Sequence, residues 1–169
     1  SDIKDTVLVR EEQLMVCIDT GRMLHYKNQN ANAEGIQKLV VPKGGEYRLM
    51  LEDGSVVLFN SASELQFPAA FPGQERRVRL KGEGYFKIER DTPFRVETDK
   101  VTVKVLGTEF NLSVYAGEPG SATTLVKGAV EVCTHRGKPV RLQPGQQLLS
   151  DGKRMMVQEV NVASVVSWV

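Results

Sequence analysis

The sequence predicts an all-β domain of about a dozen short strands, arranged as a jelly-roll-like sandwich or, alternatively, as a compact β-solenoid. Three observations carry this. Apolar residues alternate with period two almost throughout the 169 residues, β-branched residues crowd those runs, and turn dipeptides recur between them. The solenoid stays open because similar strand–turn units follow one another.

Leu14 to Ile18 and Met23 to Tyr26 flank Thr20-Gly21 and read as a hairpin, and the polar stretch from Asn28 to Asn32 reads as an exposed loop before a strand at Ile36 to Val41. Residues 1–40 are therefore expected to form a peripheral hairpin and loop, and residues 41–160 the main β domain. Tyr47, Leu49 and Leu51 alternate with Arg48 and Met50, and Asp53-Gly54 then supplies the positive φ angles of a tight hairpin into Val56 to Phe59. Pro68, Pro72 and Gly73 predict a corner ahead of the strand Val78 to Leu80, since proline does not serve a central ladder.

Further on, Phe94, Val96 and Thr98 alternate, Asp99-Lys100 turns, and Val101, Val103 and Val105 share one face. Arg136-Gly137-Lys138 joins the runs 129–134 and 140–142, and Asp151-Gly152 joins 147–149 to 155–160. In the last nine residues the spacing changes: Asn161 stands as a helix cap and Val162, Val165, Val166 and Val169 fall at helical intervals. Residues 161–169 are expected to begin a linker helix toward a further domain.

A formal net charge of +1 gives no global field to draw nucleic acid or an anionic membrane. The longest uninterrupted apolar run, Leu14 to Ile18, is far short of the roughly twenty residues of a spanning helix. Cys17 and Cys133 are too few for a disulfide scaffold and wrongly spaced for a zinc knuckle. They are either one long-range bridge or two small buried hydrophobes.

No catalytic, cofactor or metal site is expected. Metal chemistry wants clustered imidazoles with a carboxylate, and only His25 and His135 are present, far apart and outside any His-x-His pair. A nucleophile elbow, a phosphate-binding loop and a His-Glu-x-x-His helix are all absent, and Gly82-x-Gly84 followed by Tyr85-Phe86 reads as strand. Gly45, Gly54, Gly82, Gly84, Gly107, Gly128 and Gly145 stand at strand entries or within strands and are expected to serve turns, bulges and close backbone approaches. Arg77, Arg79 and Lys81 share one face of a strand whose other face carries Val78 and Leu80, a basic stripe that either meets an acidic partner or is a solvated outer face. Tyr47, Phe86, Phe94 and Phe110 fit inward positions. Phe71, in its proline-flanked loop, is left as the candidate exposed aromatic and, with the stripe, as the candidate partner surface. A carbohydrate-binding β-sandwich is the alternative reading of the aromatics.

Several segments in order resemble the FecR family, in the form found in Bacteroidetes: VPKGGEYRL from Val41, the EDGS turn with VVLFNSASEL, ERRVRLKGEGYFKI, TPFRVET, VKVLGTEFNLSVY, TTLVKGAVEV and LQPGQQLL. The series runs from about Val41 to Leu149. The resemblance implies a non-enzymatic periplasmic β domain of an anti-sigma regulator anchored in the inner membrane. Such a domain listens to the signalling domain of a TonB-dependent outer-membrane receptor, while a separate cytoplasmic segment, absent from this sequence, holds an extracytoplasmic-function (ECF) sigma factor. It implies no nucleic-acid partner and no membrane span in the present residues.

Overall fold

A computed structural model describes residues 35–71 and 73–169 in full, and three earlier strands as backbone. In chain order the strands are β1 (Val7–Val9), β2 (Met15–Asp19), β3 (Met23–Asn28), β4 (Ile36–Val41), β5 (Tyr47–Met50), β6 (Val56–Phe59), β7 (Ser63–Pro68), β8 (Arg76–Lys87), β9 (Phe94–Glu97), β10 (Val101–Val105), β11 (Glu109–Val114), β12 (Ser121–Lys127), β13 (Val130–Thr134), β14 (Val140–Leu142), β15 (Gln146–Ser150) and β16 (Met155–Glu159), followed by a short helix α1 (Val162–Val165).

These strands form two sheets that share β8. The first sheet runs β1, β4, β7, β8, β9, β10, β13, β14, and the second runs β2, β3, β5, β6, β8, β11, β12, β15, β16. The first half of β8 pairs with β7 and, in parallel, with β9; its second half pairs with β6 and β11. Gly82 sits where the strand passes from one sheet to the other, with φ of +98°. Positions 76, 78, 80, 82, 84, 86 and 88 are buried on both sides of that point, so β8 bends around the core instead of crossing it.

Core side chains from both sheets meet in one cluster, including Leu39, Leu49, Phe59, Leu65, Leu80, Phe86, Val96, Val103, Phe110, Leu125, Val132 and Leu148. Phe86 and Phe110 stack with ring centroids 4.9 Å apart, and each such side chain contributes roughly 1.5–3 kcal/mol through burial. Two sheets around one core give the layers of a sandwich. The order of strands, however, rises steadily across each sheet: β9–β10 lie in the first, β11–β12 in the second, β13–β14 in the first and β15–β16 in the second. That advance of successive hairpins has the solenoid's connectivity.

The hairpins at Asp53-Gly54, Asp99-Lys100, Arg136-Gly137-Lys138 and Asp151-Gly152 form at the expected turns. In the first of them only Gly54 takes a positive φ, of +87°, where two such residues were expected. The reason is a longer turn, closed by Gly54 N–H to Leu51 O at 3.0 Å and Leu51 N–H to Ser55 O at 2.8 Å. The first three strands add to both sheets, β1 beside β4 and β3 in parallel beside β5; Thr20-Gly21 and most of the polar loop after Asn28 lie outside the described residues. Helix α1 begins as expected at Asn161, whose Oδ1 accepts from the Ser164 N–H at 3.2 Å.

Candidate recognition surfaces

Alternation along β8 sends Arg77, Arg79 and Lys81 to the outer face of the first sheet. Their charges are largely met there. The Arg77 guanidinium lies 3.3 Å from Glu75 and 3.9 Å from Glu97, Arg79 pairs with Asp99, and Lys81 stands in register with Glu64, itself paired with Lys38. Arg95, opposite Arg77 on β9, reaches Glu75 at 2.6 Å. The outer face is therefore a checkerboard of both signs, not a basic stripe, because Glu75 just ahead of β8, Glu64 and Glu97 on the neighbouring strands and Asp99 in the turn after β9 set carboxylates among the cations. Arg77 remains 59% exposed, and exposed pairs of this kind contribute little to stability.

One position earlier the same residue type does the opposite. Arg76 is in phase with Val78 and Leu80 and is only 2% exposed. Its guanidinium donates to Asp53 Oδ2 at 2.5 Å, to Thr92 O at 2.6 and 3.1 Å, to Glu89 O at 3.0 Å and to Leu106 O at 3.2 Å, and it lies over the Phe94 ring at 5.1 Å. Three turns, around residues 53, 89–92 and 106, are thus tied to one buried charge. Arg76 escaped the reading of the sequence, where its charge argued for solvent; the available signal was parity, since it alternates with the inward residues of its own strand.

The loop 115–120 is held the same way. Lys100 Nζ donates to the carbonyls of Tyr115 (2.8 Å), Glu118 (2.5 Å) and Gly120 (3.1 Å).

The outer face of the second sheet is covered in its middle by the chain's own C-terminal segment. Trp168 Nε1 donates to Asn111 Oδ1 at 3.2 Å, and Asn111 and Asn60 each donate to Glu83 at 2.9 Å. Beneath this cover Asn111 and Thr124 are buried although they point away from the core. Tyr85 on the same face donates to Glu109 at 3.0 Å, and its phenol is pushed up to about 12 by burial first and then by that carboxylate. Trp168 and Val169 also line a cleft of about 210 Å³ with Glu46, Tyr47, Arg48 and Leu58.

Two of the glycines, Gly82 and Gly107, each press on another residue's Cα and Cβ. A Cβ at Gly82 would stand 2.7 Å from Ser63 Cα, on a backbone with positive φ. One at Gly107 would stand 2.8–2.9 Å from Arg90 Cβ and Cα. Gly45 and Gly54 lie in turns, Gly84 within β8, Gly128 between β12 and β13, and Gly145 ahead of β15. Phe71 is not an exposed aromatic: it packs on the core, edge-on to Phe94 with ring centroids 6.0 Å apart. The chain after β7 turns it inward. Cys133 is a half-buried free thiol, and the Cys17 side chain lies outside the described residues. His135 contacts Asp99 O at 3.3 Å, and among the described residues no three His, Cys, Asp or Glu side chains are grouped to hold a metal.

The fold and its surfaces define an all-β module with two sheets and a mixed-charge outer face. It belongs to the FecR family: the family model described as FecR protein matches residues 37–131. Two crystal structures of a proposed anti-sigma factor from Parabacteroides distasonis resemble it, one at 29% identity and TM-score 0.76, covering 79% of this chain and 64% of that one, the other at 30% identity and TM-score 0.74, covering 78% and 63%. The chain spans a little under two thirds of those chains. No curated protein matches it.

Proposed function

We propose that this chain is the sensory β domain of an anti-sigma regulator, working by protein recognition and without catalysis. The observation that carries the reading is the match over residues 37–131 joined to the likeness, across nearly four fifths of the chain, with a proposed anti-sigma factor. In this reading the domain sits in the periplasm. The full-length protein is anchored in the inner membrane, and a cytoplasmic segment outside this sequence holds an ECF sigma factor. The signal arrives from the signalling domain of a TonB-dependent outer-membrane receptor, which is recognised through outward side chains such as Arg77, Arg79 and Lys81 and in part by strand addition. Contacts beyond Val169, in a further domain, add to the affinity through effective concentration.

The physical grounds are consistent with this. Buried Arg76 and half-buried Lys100 hold turns, and the charges left outward are arranged in both signs, which suits selective recognition more than bulk attraction. The test is co-purification of the chain with signalling domains of receptors encoded beside it. Retention of one domain and not of others supports the reading, and retention of none removes it.

A further inference from the structure

Strand β16 ends the second sheet, and no described strand pairs with its outer edge. Its bonds to β15 fall on alternate residues: Val160 N–H reaches Gly145 O at 3.0 Å and Asp151 N–H reaches Arg154 O at 3.3 Å. By that alternation Met155, Val157 and Glu159 turn their own N–H and C=O groups toward the free edge. Such edges are commonly blunted by charge, proline or a bulge. This one carries Met156 at 53% exposure and Val157 at 42%. Met156 walls a groove of about 480 Å³ with Pro119, Ala122 and Leu149. On the other face Val157 stands in register with fully buried Leu148, so it continues the core row outward with nothing described beside it.

We propose that a second copy of the chain covers this edge, β16 pairing antiparallel with its counterpart about a two-fold axis through Met156. The backbone restricts the register, because residues that exchange hydrogen bonds must both be of the outward-turned set. Met155 then faces Val157, Glu159 or its own counterpart Met155 of the second copy. The first choice sets Met156 against Met156 on one face and Met155 against Val157 on the other, and it carries Lys153 to Glu159, each heterologous pair occurring twice by symmetry. The second sets Met155 against a carboxylate, and the third sets Val157 against Lys153. Only the first is complementary in both apolar contact and charge, as an isologous interface requires. Five residues of edge make a small interface, so the dimer is reversible, with a dissociation constant of roughly 10–100 μM. This inference stands apart from the receptor reading.

Sedimentation velocity on the 169-residue chain from about 1 μM to 1 mM brackets that range. A reversible monomer–dimer equilibrium is expected. Lys153 and Glu159 are both exposed, so their variants keep the fold. Glu159→Lys should weaken association at least about tenfold, and Lys153→Glu with Glu159→Lys should restore it. With Cys17→Ser and Cys133→Ser in the background, Met156→Cys should oxidise to a covalent dimer, since directly opposed non-hydrogen-bonded residues lie about 4.5 Å apart at Cα, within disulfide reach. Val157→Cys should cross-link far less, its symmetry mate being about 7–8 Å away on the diagonal. A monomer throughout, a charge swap that fails to restore association, or faster cross-linking at Val157 would overturn the proposal. Protection of the Met155 and Val157 amides from exchange in a monomer would assign the edge to another segment and overturn it too.

Discussion

The two faces of β8 place the same chemistry under opposite conditions. On the outer face, Arg77 and Arg79 meet carboxylates in water, at 59% and 38% exposure, and on the inner face Arg76 meets one carboxylate and three carbonyl oxygens with almost no water. A solvated guanidinium that loses its partner is rehydrated. A buried group that loses its partner is left with the full cost of desolvation. The inner arginine is therefore part of the fold, while the outer ones are those we propose to meet a partner.

The largest effect should come from Arg76→Met, which fills much of the space but leaves the Asp53 carboxylate and the carbonyls of Glu89, Thr92 and Leu106 without their donor. A loss of about 3–5 kcal/mol in chemical denaturation is expected. A loss no larger than that of Arg77→Ala would break the comparison. Next come the close approaches: Gly107→Ala, pressed against Arg90 Cα and Cβ, should cost about 1–3 kcal/mol, and an unchanged midpoint would remove the steric argument. Lys100→Met should cost about 1–3 kcal/mol by orphaning three carbonyls, with the loss of hydrogen-exchange protection confined to residues near 115–120.

Tyr85 sharpens the contrast by pH. Its folded pKa, about 12, lies above the ordinary 10.0, so the neutral phenol's contribution is complete below pH 10 and is lost as pH rises toward 12. Tyr85→Phe should flatten the fall in melting temperature over that window. The smallest effects belong to the outer face, where Arg77→Ala, Arg79→Ala and Lys81→Ala should each change stability by no more than about 0.5 kcal/mol.

Much of this architecture is legible in local pattern. Asp53-Gly54, Asp99-Lys100 and Asp151-Gly152 mark hairpins because the turn chemistry and the alternation on both sides lie within a few residues. What escaped depends on residues distant in the chain. Arg76 reads as a surface charge until Asp53 and the carbonyls of residues 89–106 are brought to it. Phe71 reads as a loop aromatic until Phe94 arrives beneath it, and the basic face of β8 reads as basic until β7, β9 and the turn after β9 supply Glu64, Glu97 and Asp99. Ser63–Pro68 alternates cleanly, Leu65 and Phe67 inward against Glu64 and Gln66, yet its closing proline disguises a strand end as a loop. Sheet membership follows from the bend at Gly82, which no local periodicity encodes.

The central claim, that the inner face of β8 holds the fold and the outer face serves recognition, is tested most directly by calorimetry of the signalling domain of the adjacent receptor against three forms of the chain: unchanged, Arg77→Glu with Lys81→Glu, and Lys127→Glu as a surface control on the second sheet. The account predicts saturable binding to the unchanged chain and to the control, and affinity lower by about tenfold or more in the double variant, with all three melting alike. Absence of binding to the unchanged chain, or equal affinity in all three, would contradict it.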